Sequence, residues 1–185
     1  EFYGAAETSF VTLADASTPE GSVGRPYPGV EIRIDDEGLV WVRSAYLAQH
    51  VASRSGDKPG AAIWRDGWVA PGECGQIEAG NLWLSGRIGR RVKVADQTVH
   101  PEVIETALLR QPGVRAGVVI AVRDRRRGHV LEACLVGDPQ HEPAILAALR
   151  AEFGPLMAPR RLHWRAELPA LPSGKPDLAQ LQRDH

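Results

Sequence analysis

The sequence is poor in thiols, in lysine and in long apolar runs. Cys74 and Cys134 are its only cysteines among 185 residues. Two cysteines so far apart suggest neither a disulfide framework nor a zinc site; both are expected to be small buried thiols of a reduced, cytoplasmic protein. No stretch approaches the ~18–20 apolar residues that a helix needs to span a bilayer. The N-terminus, Glu1-Phe2-Tyr3-Gly4, has no basic segment and no long apolar run, so it does not read as a signal peptide. An excess of one charge is missing too: 22 basic against 23 acidic residues leave a formal net charge of -1. With a pI near 6.7, that balance offers nothing to nucleic acid or an anionic membrane. Of the basic residues only Lys58, Lys93 and Lys175 are lysine, which makes each of them worth a question.

What is present is ordinary globular composition, 43% hydrophobic and 24% charged, enough for one large domain or two small ones. Gly, Pro and Asp clusters cut residues 1–85 into short pieces. Val30 to Ile34 alternates apolar and polar, and Leu39 to Val42 is its partner across the turn Asp35-Asp36-Glu37-Gly38. Residues 54–60 are polar and carry Gly and Pro, the composition of a surface loop. Ile77 to Leu84 is a second hairpin with Gly80-Asn81 in its turn. Trp64, Trp68 and Trp83 read as core of this β-rich half, in which no long helix is expected.

After Gly86 the pattern changes. Arg91 to Val94 is a short strand, and His100-Pro101 opens a helix with proline in its first turn. Val103, Ile104, Ala107 and Leu108 form its apolar face, and Gln111-Pro112-Gly113 ends it. Val114 to Val122 and Val130 to Val136 are strands. The arginine-rich turn Arg123 to Arg127 between them reads as solvated rather than as a phosphate site. Pro143 to Phe153 is helical, with Ile145, Leu146, Leu149 and Phe153 on one side, and Arg160 to Trp164 is a last strand. The order β-α-β-β-α-β fits a small domain of split βαβ type. The expected fold class is α+β: a β-rich part over residues 1–86, then a small βαββαβ domain over 87–185.

Four segments carry chemistry, in this order: Tyr3-Gly4-Ala5-Ala6-Glu7-Thr8; Gly21-Ser22-Val23-Gly24-Arg25-Pro26; Asp66-Gly67-Trp68-Val69-Ala70-Pro71-Gly72-Glu73-Cys74-Gly75, followed by Ser85-Gly86-Arg87-Ile88; and the ungapped run from Leu168 to Leu181 around Ser173-Gly174-Lys175-Pro176-Asp177. Singly, each has a plain reading: a Tyr-Gly pair before a loop, a turn shaped by glycine and proline, an exposed turn acid, a frayed tail with one lysine. Together and in register they resemble the adenylate-forming (AMP-binding) superfamily, and in particular the C-terminal portion of acyl-CoA synthetases, over nearly the whole chain.

The resemblance implies an AMP-forming acid–thiol ligase that uses ATP and Mg²⁺, a small-molecule carboxylate, and CoA or a carrier phosphopantetheine thiol as acceptor. It gives Glu7 the Mg²⁺, a hard cation suited to a carboxylate. Tyr3 and Gly4 lie against the adenine and acyl pocket. Glu73 takes the ribose hydroxyls, since a carboxylate accepts two O–H donors at once. Arg87 reaches the ribose or phosphates with its guanidinium fork. Gly89 is the hinge between the end of the large AMP-binding domain (1–86) and a mobile lid (87–185). Lys93 and Asp96 border the thiol channel, and Lys175 is catalytic, neutralising charge as the carboxylate attacks the α-phosphate. His100 could line the same channel, although a helix-capping or solvent-facing histidine is the plainer reading. The sequence departs from the family at Ala6 and Pro71 (Thr), Glu73 (Asp), Gly89 (Asp or Lys), Asp96 (Gly) and Leu178 (Arg). The family's Ser/Thr/Gly-rich phosphate loop is not in this sequence, so a longer chain is expected, whose N-terminal portion completes the enzyme; 185 residues alone should be inactive. The departures at Ala6, Glu73, Gly89 and Asp96 support an alternative, a non-catalytic module that keeps the fold for binding or docking; the intact Lys175 loop argues against it.

Overall fold

The computed structural model describes residues 1–48 and 62–185. The loop expected over 54–60 lies outside the described residues. The chain divides into two compact units, Glu1–Arg90 and Arg91–His185.

Unit 1 is built from short strands because turn residues interrupt every apolar run. β1 (Phe2–Ala5), β2 (Ser9–Leu13) and β3 (Arg25–Pro26) form one antiparallel sheet. β4 (Glu31–Ile34), β5 (Val40–Arg43), β6 (Ile63–Arg65) and β7 (Trp68–Ala70) form a second, in the order β4-β5-β7-β6. β8 (Glu73–Glu78) and β9 (Asn81–Arg87) pair by themselves. The first hairpin is closed by Asp35, whose Oδ1 accepts from the backbone of Glu37 and Leu39. β5 is buried on both faces: Val40 and Val42 pack with Val11, Val30, Val69 and Leu82, and Trp41 with Leu39, Ala70 and Cys74. The second hairpin turns at Ala79-Gly80, one residue earlier than expected. Both residues take positive φ (48° and 80°), the sign required at both positions of a twist-matched two-residue turn, and Asn81 becomes the first strand residue.

The tryptophans are not the core of this unit. Trp64 is 43% exposed, Trp68 and Trp83 are half-buried, and Trp41 alone of those in unit 1 is buried. Guanidinium groups cover the indole faces instead. Arg33 and Arg43 lie 4.4 and 4.6 Å from the Trp68 ring centre, and Arg33 and Arg65 lie 5.3 and 5.6 Å from that of Trp41.

Unit 2 opens with a hairpin, β10 (Val92–Val94) and β11 (Gln97–Val99), of which only the first strand was legible. α1 (Pro101–Leu109) follows, then β12 (Val114–Asp124), β13 (Gly128–Gly137), α2 (Glu142–Met157), β14 (Leu162–Trp164) and α3 (Leu178–Arg183). β13 is the central strand, antiparallel to β12 and parallel to β14. Alternation assigns the two faces. Val119, Leu131, Ala133, Leu135 and Leu162 join Ile104, Leu108, Ile145 and Leu149 of α1 and α2 in one core, while Val118, Ile120 and Cys134 join Leu181 of α3 in another. Val103 is 41% exposed and does not belong to the α1 face; Pro101, Ile104, Ala107 and Leu108 form it, at the i, i+3, i+7 spacing of one stripe. α2 breaks at Gly154 (φ 76°), ahead of Pro155. Among the described residues no helix is long and apolar enough to cross a membrane.

Candidate nucleotide site and lysine loop

The β8–β9 register sets Glu73 directly opposite Arg87. Arg87 Nη2 donates to Glu73 Oε1 at 2.7 Å; the glutamate side chain is 9% exposed and the arginine side chain 57%. Two residues fourteen positions apart thus become one ion pair because a hairpin joins them. The second oxygen, Glu73 Oε2, and the Tyr3 hydroxyl are both buried and make no hydrogen bond of good geometry among the described residues, although the two side chains are close enough for the hydroxyl to interact with the carboxylate. Burial raises the Glu73 carboxyl above the usual glutamate range, and Arg87 pulls it back down. Burial, then the Glu73 charge, push the Tyr3 hydroxyl far above its ordinary value, so it is a neutral O–H donor. A buried acceptor without a donor is costly, and a ligand hydroxyl is a donor of the right kind.

Tyr3 and Gly4 lie on β1, where the β1–β2 register slips between them. A Cβ at Gly4 would collide with the Ser9 carbonyl, so the bulge needs glycine. Ala6 to Thr8 form the turn, pinned by Thr8, whose Oγ1 accepts from the Ala5 backbone at 3.0 Å. Glu7 is half-buried on this turn, and its charge raises both Tyr3 and Glu73. A Glu7 carboxylate beside a second carboxylate is a hard-oxygen donor set of the kind Mg²⁺ accepts. Gly89 lies in the 3₁₀ turn Ile88–Arg90 that ends unit 1.

In unit 2, Lys93 is exposed on β10 and Asp96 is exposed in the β10–β11 turn. The positive φ of that turn falls on Ala95 (53°), so Asp96 need not be glycine for the hairpin to close. His100 stands at the N-cap of α1 but makes no side-chain cap bond. It is half-buried, its Nδ1 has no hydrogen-bond partner, and burial lowers its pKa. It is therefore neither a capping nor a fully solvated histidine. Lys175 is exposed, yet its loop is not a frayed tail: Leu171 N donates to Lys175 O and Gly174 N to Leu171 O, both at 2.8 Å, and Ala170 pairs with Pro176. Gly174 takes φ 79°, which glycine adopts freely. Asp177 then caps α3, its Oδ1 accepting from Gln180 N at 2.9 Å.

A second concavity, of about 820 Å³, lies where the sequence reads as a solvated turn. Arg123, Arg125, Arg126, Arg127, Arg150 and Arg160 line it together with apolar residues including Leu156 and Pro159. Asp124 shapes the turn by accepting from the backbone of Arg126 and Arg127, bonds that lower its pKa. Arg150 and Arg160 are 23 or more residues from that turn in sequence; only the fold brings them there.

The AMP-binding enzyme C-terminal domain matches residues 103–175. The chain is 31% identical over 172 residues to the 3-[(3aS,4S,7aS)-7a-methyl-1,5-dioxo-octahydro-1H-inden-4-yl]propanoyl:CoA ligase of Mycobacterium tuberculosis, covering 91% of this chain and 34% of that protein. It is 30% identical over 194 residues to the fatty acid–[acyl-carrier-protein] ligase ScoC of Streptomyces coeruleorubidus, covering 95% of this chain and 37% of that one. Among solved structures, amide bond synthetase McbA from Marinactinospora thermotolerans matches with a TM-score of 0.82 at 30% identity, over 98% of this chain and 41% of that chain. The chain spans about a third of the length of the curated relatives it matches. Motif order, fold and these likenesses agree: residues 103–175 belong to the AMP-binding enzyme C-terminal domain family, and the chain is similar over nearly its whole length to adenylate-forming ligases.

Proposed function

We propose that this chain is part of an ATP-dependent, AMP-forming carboxylate ligase that makes an acyl-adenylate and passes the acyl group to a thiol, CoA or a carrier phosphopantetheine. The observation that carries the reading is the Glu73–Arg87 pair beside Tyr3, with one buried carboxylate oxygen committed to a guanidinium and the other, near the Tyr3 hydroxyl, in no well-formed hydrogen bond among the described residues. In the first half-reaction the carboxylate oxygen of the substrate attacks the α-phosphorus of ATP, and the bond to pyrophosphate breaks. Glu73 Oε2 accepts from the ribose, Arg87 steadies the same end of the nucleotide, and Tyr3 and Gly4 line the adenine and acyl side. Glu7 would hold Mg²⁺, which supplies charge neutralisation on the phosphates when bound. The Lys175 ammonium offsets the negative charge that builds as the oxygen attacks.

In the second half-reaction the thiol sulfur attacks the acyl carbonyl, AMP leaves, and the thiol proton passes to solvent. Residues 1–86 act as the end of the AMP-binding domain and 87–185 as a lid that turns at Gly89, exchanging Lys175 for the channel edge at Lys93 and Asp96. The arginine-lined groove favours CoA as acceptor: its apolar lining residues suit a flat base, and guanidinium forks suit phosphate. Two of the relatives named above are by their names ligases to CoA and to a carrier protein, and the third makes amide bonds. The test uses the full-length protein with ATP and a carboxylate panel. Carboxylate-dependent pyrophosphate release, followed by AMP release on adding CoA, supports the reading. No pyrophosphate with any carboxylate replaces it with the non-catalytic module, and AMP release driven by amines but not thiols overturns the thiol acceptor.

A further inference from the structure

The α3 face of the unit 2 sheet is apolar at Val118, Ile120 and Leu181, with Val122, Leu168 and Leu178 around them. Four residues there are of another kind. Glu132 and Cys134 alternate onto this face of β13, the register sets His163 of β14 opposite Cys134, and His185 follows α3. Glu132 is 7% exposed and Cys134 fully buried. His163 Nε2 lies 2.7 Å from Glu132 Oε2, and Cys134 Sγ lies 3.6 Å from His185 Nε2. The two imidazole centres are 4.1 Å apart. One ligand atom each of Glu132, His163 and His185 falls within 4.8 Å of the others; Cys134 Sγ lies 3.6 Å from His185 Nε2 but outside that trio, and has to move to join it. The adenylation chemistry uses none of the four. A carboxylate on an apolar face is costly to bury, and the His163 contact offsets that cost; the neutral Cys134 thiol buries without one.

We propose that Glu132, Cys134, His163 and His185 bind one zinc-class divalent ion. The donor set is one sulfur, two imidazole nitrogens and one carboxylate oxygen, a borderline-soft combination that suits Zn²⁺ and disfavours Mg²⁺ or Ca²⁺. Bonds of about 2.0–2.3 Å in a tetrahedron separate neighbouring ligand atoms by about 3.3–3.6 Å. The Cys134–His185 distance of 3.6 Å already equals a sulfur–nitrogen edge. The Glu132–His163 pair, held at 2.7 Å by a shared proton, opens by roughly half an ångström when the ion takes that proton's place. Binding also expels the Cys134 thiol proton, because the thiolate is the ligand. Burial raises this thiol's pKa, so the ion has to supply the driving force. Arg165 is the local competitor: its Nη2 is 3.2 Å from His185 Nε2, its guanidinium also interacts with the Cys134 thiol, and its Nη1 pairs with Asp184 Oδ2 at 3.0 Å. Metal binding requires Arg165 to release both His185 and Cys134. The ion would join β13, β14 and the end of α3, the helix that begins three residues after Lys175.

The experiment is Co²⁺ titration of the full-length protein, prepared without a polyhistidine tag and stripped of metal. The expected result is one equivalent bound, a near-ultraviolet sulfur-to-cobalt absorption, tetrahedral bands in the visible, and loss of all of them on adding Zn²⁺. Cys134→Ser should abolish the sulfur absorption. His163→Ala and His185→Ala should each weaken binding by at least ~10–100-fold. His185 is exposed, so His185→Ala keeps the fold even where a core substitution does not; circular dichroism checks this. His129→Ala should change nothing. Less than one equivalent, no sulfur absorption, or wild-type affinity in His185→Ala overturns the proposal and leaves the cluster as hydrogen bonds around a buried glutamate.

Discussion

Glu73 and Lys175 hold opposite relations to solvent, and their substitutions should fail differently. Glu73 is buried and half-committed to Arg87, so its loss is a binding defect. Glu73→Gln should raise the KM for ATP strongly and leave carboxylate affinity alone; normal ATP binding would mark the longer acid as a real loss of function. Because burial raises its pKa, Glu73 takes up a proton at higher pH than an ordinary glutamate. ATP affinity should therefore fall as pH drops through a window above the usual carboxylate range, and Glu73→Gln should flatten that dependence in a pH series. Lys175 is exposed, and under the proposed reading it meets the reacting atoms only when its loop docks. Lys175→Ala should slow acyl-AMP formation by ~10²–10³ with little change in substrate binding, yet still pass supplied acyl-AMP to thiol. Lys93→Ala is the control that spares adenylation. Rapid single-turnover assays separate the two steps, and normal acyl-AMP formation by Lys175→Ala would remove the central assignment. Both residues were legible because each sits in a contiguous motif. Glu132, Cys134, His163 and His185 were not, because spacings of 2, 29 and 22 residues match no ligand motif and only sheet register gathers them.

Elements were legible wherever periodicity ran long enough. The two long strands and α1 and α2 of unit 2 declare themselves by alternation and by apolar stripes. β11 has three residues, too few for a period, and pairs because Ala95 takes positive φ. The hairpin turn moved to Ala79-Gly80 for a similar reason, since cross-strand pairing outweighs the preference of Gly-Asn for a turn. Tryptophan was misread because an indole can be covered by guanidinium as well as by core. The α1/α2 core makes a firm energetic claim. Leu149 is fully buried with Ile104, Leu131 and Ile145, so Leu149→Ala should cost about 2–5 kcal/mol. Hydrogen exchange in the full-length protein should show that loss across β13 and α2 and not in β5. A uniform loss in both units would contradict two separate cores.

At the scale of the whole chain, the change from short strands to alternating strands and helices was visible near Gly86, and the compact units meet at Arg90 and Arg91. The four intervening residues contain Gly89, in a 3₁₀ turn that is exposed at that position and buries no residue. Ile88 packs against the Leu39, Trp41, Ala70 and Cys74 cluster and anchors the start of the turn, so it is at the exposed Gly89 that φ and ψ can change with least disturbance, which is what a hinge requires. Gly89→Pro fixes φ near -65°, inside the 3₁₀ range, and also restricts Ile88 before it. In the full-length enzyme it should hold the lid in one orientation, so that acyl-AMP formation and thiol transfer change by unequal factors. Stopped-flow assays of each half-reaction, the second started from supplied acyl-AMP, read the two factors separately. A turn that served only as a connector would leave both rates intact or lower them together through lost stability. Thermal unfolding distinguishes that case: an unbalanced pair of rates at unchanged Tm requires motion at Gly89, and equal rates place the hinge elsewhere.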